Sequence, residues 1–183
     1  SGKFYHEVVV SSANMAVFIG IRPTDAGVGG SSPQGVSGSV MYYGVDGQKR
    51  LTNTFSSYGA GYVSGDIIGV AVDMDASTPT IQFYKNNAGQ GTINLTVGET
   101  YIPVNALSNG TDKLNFGSDS SFAGAKTPQG NQDSNAIGDF YYAPPTGFLA
   151  LCTSNLPDVD VIPSENFNTV LYTGNQADNR SVT

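Results

Sequence analysis

Asp46-Gly47 constrains this chain more than any other feature, because it joins two short strand-like runs, 39–45 and 48–54. An Asp-Gly pair in that setting predicts a type I′ hairpin turn, which needs positive φ at both central residues. Similar punctuation recurs along most of the sequence. Residues 3–10 (KFYHEVVV) are aromatic and β-branched, and 15–21 (MAVFIGI) are nearly all apolar and closed by Pro23. Both runs predict strands. A loop of small residues follows over 23–38. The strongly apolar 66–74 (DIIGVAVDM) predicts a further strand, a turn follows at 75–79, and 80–85 (TIQFYK) alternates as its half-buried partner. Asn86-Asn87-Ala88-Gly89 predicts a second tight turn, since Asn and Gly tolerate the left-handed region. Runs 101–107 and 113–116 complete the set. Turn signals at intervals of roughly 8–12 residues are those of a sandwich or barrel, and the prediction for 3–118 is a β-sandwich.

Composition supports this reading. Only 13% of the 183 residues are charged, and small polar residues take the place of charge, with 23 Gly and 9 Pro. Long amphipathic helices are thereby excluded as the main architecture. A net charge of −7 with eight basic residues cannot make a continuous basic surface, which argues against nucleic acid as a partner. No apolar run approaches the roughly 18 residues of a membrane span. The single cysteine, Cys152, excludes an internal disulfide and a multi-cysteine zinc site; within its apolar run it reads as a buried, inert thiol. Neither an initiator Met nor a signal peptide is visible, and both ends read as cut from something longer. Residues 119–146 are predicted to form a long surface excursion, and 147–153 (GFLALCT) a strand returning to the sandwich. The domain is therefore set at 2–153. Residues 154–183 are predicted to be an extended arm or linker toward a further domain, with 166–172 its one plausible strand.

Several segments resemble the SPRY family. Gly2-Lys3-Phe4-Tyr5-His6-Glu7-Val8 is similar to its G-K-W-Y-W-E-V opening, with both tryptophans replaced. The run 65–75 resembles G-D-x-I-G-V-x-x-D-x-D, and 81–86 resembles I-x-F-x-K-N-G, with Asn87 in place of the usual Gly. Tyr101-Ile102-Pro103-Val104 and Asn115-Phe116-Gly117 fit the later P-x-V and N-F-G elements. The resemblance implies an all-β, concanavalin A-like jelly roll of two antiparallel sheets, with binding done by loops at one end. A second resemblance, over 144–183, is to bacteriophage structural proteins; it rests on Pro145-x-Gly147-Phe148, 151–157 (LCTSNLP) and 170–175 (VLYTGN). Those proteins usually carry Gly where Gln176 stands. This match implies a component of the virion, in a tail fibre, baseplate or capsid-surface protein.

Candidate chemistry is sparse. A retaining glycosidase needs two carboxylates roughly 5–5.5 Å apart. None of the three glutamates, Glu7, Glu99 and Glu165, has an acidic residue two positions away. Asp73 and Asp75 share one strand face and are the candidates for an acid pair or a calcium site. The SPRY pattern already accounts for both as acceptors of turn N–H groups. His6 occupies an aromatic position of the first strand and reads as a packed ring. No G-x-S-x-G elbow or phosphate-binding loop is present. No catalytic residue and no cofactor are therefore assigned.

What remains is binding. Tyr58, in a Ser/Gly-rich loop, and Tyr141-Tyr142, before two prolines, are predicted to be exposed aromatics able to stack on a sugar or anchor a protein. Asn53, Asn135 and Asp139 would supply polar partners. The leading expectation is a non-enzymatic module of a phage virion protein that displays loops to a host-surface glycan or another virion protein. It would form a homo-oligomer, if at all, through its parent protein. A ligand-free structural spacer is the alternative, and a polysaccharide hydrolase, with Asp66, Asp73, Asp75 and Glu7 as its candidates, is the third reading.

Overall fold

The computed structural model describes residues 2–11, 17–24, 35–107 and 110–156. Most of the 23–38 loop, the predicted start of the second strand at Met15, and the arm from Pro157 onward lie outside them. The described strands are β1 (Lys3–Val9), β2 (Val17–Pro23), β3 (Val40–Tyr43), β4 (Lys49–Leu51), β5 (Thr54–Ser56), β6 (Ile67–Asp73), β7 (Thr80–Lys85), β8 (Ala88–Asn94), β9 (Tyr101–Leu107), β10 (Lys113–Asn115) and β11 (Leu149–Ala150). One sheet runs β10-β1-β6-β7-β8 and the other β5-β4-β3-β2-β9. The predicted sandwich of two antiparallel sheets is the fold observed, and one short parallel pairing, β11 beside β1, is added to it. Between the sheets lies a core that includes Val8, Ile19, Ile21, Tyr42, Ile68, Val70, Ile81 and Phe83.

β1 serves two cores at once. Successive side chains of a strand point to opposite faces, so Val8 enters the inter-sheet core while Tyr5, Glu7 and Val9 face outward. That outer face is not left to solvent. Phe140, fully buried, sets its ring edge-on to Tyr5 with centroids 5.4 Å apart, and Phe122 packs with Val9 and Ile67. Gly69, opposite Glu7 in the β1–β6 register, makes room for the Tyr5 ring; a Cβ there would lie 2.4 Å from its hydroxyl oxygen.

The predicted surface excursion over 119–146 is therefore a third layer. Its sequence is too polar to advertise burial, but it is built on buried acceptors rather than on many apolar residues. Glu7, with no exposed surface, accepts the backbone N–H of Tyr141 at Oε2 and of Tyr142 at Oε1, both at 2.8 Å. Asn115 Nδ2 and the Tyr5 hydroxyl donate to the same carboxylate, each at 3.3 Å. Asn115 Oδ1 in turn accepts the N–H groups of Gly117, Ser118 and Asp119. Further along, Asp133 accepts N–H groups of Asn135, Ile137 and Ala150 and the side chain of Asn155. Buried backbone donors must find partners, and these three side chains supply them.

The Asp46-Gly47 hairpin forms, but not with the predicted two-residue turn. Tyr42 pairs with Lys49, the N–H of Gly47 donates to the Tyr43 carbonyl, and Gly47 has positive φ (75°) while Asp46 does not. The loop is longer because it packs against the next one: Gly59 N–H donates to Gly47 O at 2.8 Å and Tyr62 N–H to Gly44 O at 2.7 Å. The second predicted turn is as expected, with Asn86 and Asn87 both left-handed between paired Lys85 and Ala88.

Glu7→Gln preserves shape but turns one acceptor into a donor facing a backbone N–H. It is expected to cost about 2 kcal/mol, the range for a buried donor left unpaired, seen as a lower urea midpoint; an unchanged midpoint would contradict the clamp.

Candidate functional site

The residues singled out from the sequence do not converge on one place. Tyr58 is not an exposed loop aromatic. Its ring packs edge-on against Tyr42 and Phe83, its hydroxyl donates to the Gly91 carbonyl, and burial lifts that hydroxyl to about 12. Gln90 accepts the Ala60 N–H at 2.9 Å, so the loop that carries Tyr58 is held against β8. Tyr141 and Tyr142 are half-buried rather than displayed; they pack beside Val9, Ile67 and Phe122, and their N–H groups are committed to Glu7. These corrections share one cause: aromatic residues in polar loops here anchor the loops. Asp139 is half-buried, with its N–H donating to Gly117 O and its Oδ1 buried without a hydrogen-bond partner among the described residues. Asn135 is exposed and donates to Asn155 Oδ1.

Asn53 has the most informative surroundings. It is exposed, and its Oδ1 accepts from Arg50 Nη2 at 2.7 Å. The Arg50 guanidinium lies over the rings of Phe18 and Phe55, at 5.4 and 5.2 Å from their centroids. Phe55 also meets Tyr43 at 5.5 Å, and Tyr43 stacks on Phe18 at 4.6 Å. The β2–β3 and β4–β5 registers place these four side chains on the outer face of the second sheet. Phe55 remains 44% exposed, on an edge strand whose residues are all exposed. This shelf was not read from the sequence. Its signal was Phe55 itself, an aromatic flanked by Thr54 and Ser56 that periodicity assigned to neither strand nor core.

A concavity opens elsewhere on the sandwich, beside β1 and β9. It encloses about 230 Å³ and is lined by Phe4, His6, Ile21, Val72, Met74 and Tyr101, with Glu99 and Thr100 of the adjoining turn. His6 is 5% exposed and stacks on Phe116 with centroids 5.0 Å apart. Among the described residues none hydrogen-bonds its imidazole.

The strand carboxylates serve structure. Asp73 accepts the N–H groups of Asp75 and Ala76 and pairs with Lys3 at 2.9 Å. Burial resists its ionisation, but these bonds prevail and hold it below the usual carboxylate range. Asp75 accepts the Gly2 N–H, and Asp66 bonds Val63 N–H and Asn86 and pairs with Lys85. For Glu7 the balance is reversed: burial pushes its carboxyl above the ordinary value against four hydrogen bonds. Among the described residues no three metal-ligating side chains converge.

Burial also pushes His6 down to about 4 from its ordinary 6.5. The unfolded chain therefore takes up a proton between these values that the folded chain refuses. That contribution to stability is complete above pH 6.5 and is lost as pH falls toward 4, on the order of 3 kcal/mol in all. Glu7 titrates in the opposite sense above its ordinary value, so the His6 effect is read as a difference. Relative to wild type, His6→Phe should flatten the stability profile between pH 6.5 and 4; parallel profiles would refute a buried neutral imidazole.

Comparison with known proteins fits this geometry. The family model described as SPRY domain matches residues 3–119. A crystal structure of a human SPRY domain is similar in fold, with a TM-score of 0.51, 24% sequence identity, and coverage of 62% of this chain and 78% of that one.

Proposed function

The chain belongs to the SPRY family, whose members in general mediate protein–protein interactions, and on that premise we propose that it is a non-enzymatic binding module of a bacteriophage virion protein. Its contact surface is the shelf of Phe55, Tyr43, Arg50 and Asn53, and its partner is another virion protein. The observation that carries this reading is the exposed Phe55 ring held against an Arg50 guanidinium. Aromatic and arginine side chains supply most of the energy at protein interfaces, and a preset pair loses little freedom on binding. The phage context is supported by the resemblance over 144–183 and by a low-charge, acidic composition suited to an exposed particle component.

A host-surface glycan is the other ligand such a shelf could take, since an aromatic face with adjacent Asn and Arg donors suits a sugar. The ligand-free spacer is favoured by a separate observation: Tyr58, Tyr141 and Tyr142 all hold loops in place. A hydrolase has the least support, because Glu7, Asp66, Asp73 and Asp75 are each tied to backbone N–H groups.

Binding of the protein to purified virion proteins and to a glycan array, with Phe55→Ala alongside, separates these readings. An exposed substitution of this kind should cost about 1 kcal/mol or less in stability. Saturable binding to a virion protein that Phe55→Ala weakens at least tenfold is expected. Binding to glycans alone would replace the partner, and a folded protein that binds neither would establish the spacer.

A further inference from the structure

The cavity beside β1 and β9 is remote from the Phe55 shelf and has a different character. The shelf is a flat, cationic and aromatic surface, whereas the cavity is concave and walled by carbon. Phe4, Val72, Met74 and Tyr101 are each only half-buried; Val72, Met74 and Tyr101 pack on the inter-sheet core with part of their surface and line the opening with the rest. An engineered cavity of about 150 Å³ holds a benzene molecule, and sites for drug-sized ligands begin near 300 Å³. At about 230 Å³ the space suits one aromatic ring with a small substituent.

The buried part of the wall carries one polar side chain, His6, for which the described residues provide no hydrogen bond. His6 lies at a position where the family opening has an aromatic residue, so packing alone does not call for an imidazole. The ring is 5% exposed and has no hydrogen-bond partner among the described residues. A neutral imidazole offers one N–H donor and one lone pair, and the His6 nitrogens are not among the fully buried unpaired atoms of the described residues, so a molecule in the opening can reach the ring. A ligand hydroxyl can satisfy it. Anionic ligands are disfavoured by the apolar wall and by Glu99 in the lining. The Met74 thioether and the Phe4 ring are both favourable neighbours for an aromatic face or edge.

We propose that this cavity binds a neutral phenolic ring, with the His6 imidazole hydrogen-bonded to its hydroxyl and Phe4, Val72, Met74 and Tyr101 around its carbon frame. The ring can belong to a free small phenol or to a tyrosine side chain presented by a polypeptide, which have the same head-group chemistry.

His6 is the sole histidine, so its ring protons give one isolated pair of NMR signals. Titration of the 183-residue protein with p-cresol should shift those signals saturably, with toluene binding at least tenfold more weakly and 4-hydroxybenzoate not at all. His6→Phe should abolish the preference for p-cresol over toluene while the circular dichroism spectrum stays that of a β-protein. A short peptide with a single tyrosine, run beside p-cresol, distinguishes the two sources: binding tighter than p-cresol assigns a polypeptide, weaker binding a free phenol. Equal affinity for p-cresol and toluene would overturn the role of His6. Absence of any shift in the wild-type protein would overturn the site. These comparisons use the wild-type protein first, so they stand even if His6→Phe does not fold, and they do not depend on Phe55.

Discussion

One buried carboxylate organises the side of this molecule that its sequence hides. Glu7 sits on the outward face of β1, where a lone charge would be prohibitive, and four donors converge on it. Two of those donors are consecutive backbone N–H groups of a segment more than 130 residues away in sequence. Burial raises its proton affinity and the donors oppose that effect, so the site tolerates the charge only while the third layer is in place. Layer and carboxylate are mutually dependent, and the phenylalanines on either side, Phe122 and Phe140, gain their burial from the same closure.

This arrangement decides which surfaces are left for a partner. The outer face of β1 and β6 is covered by residues of 119–150, and the loop carrying Tyr58 is held against β8 through Gly91 and Gln90. Among the described residues, the outer face of the second sheet, with the Phe55–Arg50 shelf, and the β1–β9 side, with the His6 cavity, stay open. The two differ in shape and charge, and nothing requires them to serve one ligand.

The sandwich was legible because its strands carry strong local patterns. Residues 66–74 and 80–85 are apolar or alternating, and their turns are rich in Asn, Asp and Gly. β8 was not legible: Ala-Gly-Gln-Gly-Thr-Ile-Asn has one buried residue, Ile93, and owes its extended form to the hairpin with β7. β5 was missed for a similar reason, since its three residues are all exposed. The third layer defeated the sequence reading more deeply. Its order comes from Asn115, Asp119, Ser120 and Asp133 bonding backbone N–H groups, and such residues read as loop in any linear pattern. Tyr58, Tyr141 and Tyr142 read as outward-facing in the sequence, because residue type and loop position carry no information about which face a loop packs on. The SPRY motifs do contain the clamp, in Glu7 and Asn115, but as separate letters whose contact depends on the β1–β10 pairing, where they are direct partners.

Native-state hydrogen exchange, resolved by peptide, tests the three-layer account most directly. If 119–150 is a layer anchored on Glu7, the amides of Tyr141, Tyr142 and Ala150 should exchange through the same opening as β1 and β6, with similar protection and the same dependence on denaturant. If 119–150 is an excursion lying loosely on the sheet, those amides should exchange at loop rates while β1 and β6 stay protected, and the central role assigned to Glu7 would be wrong.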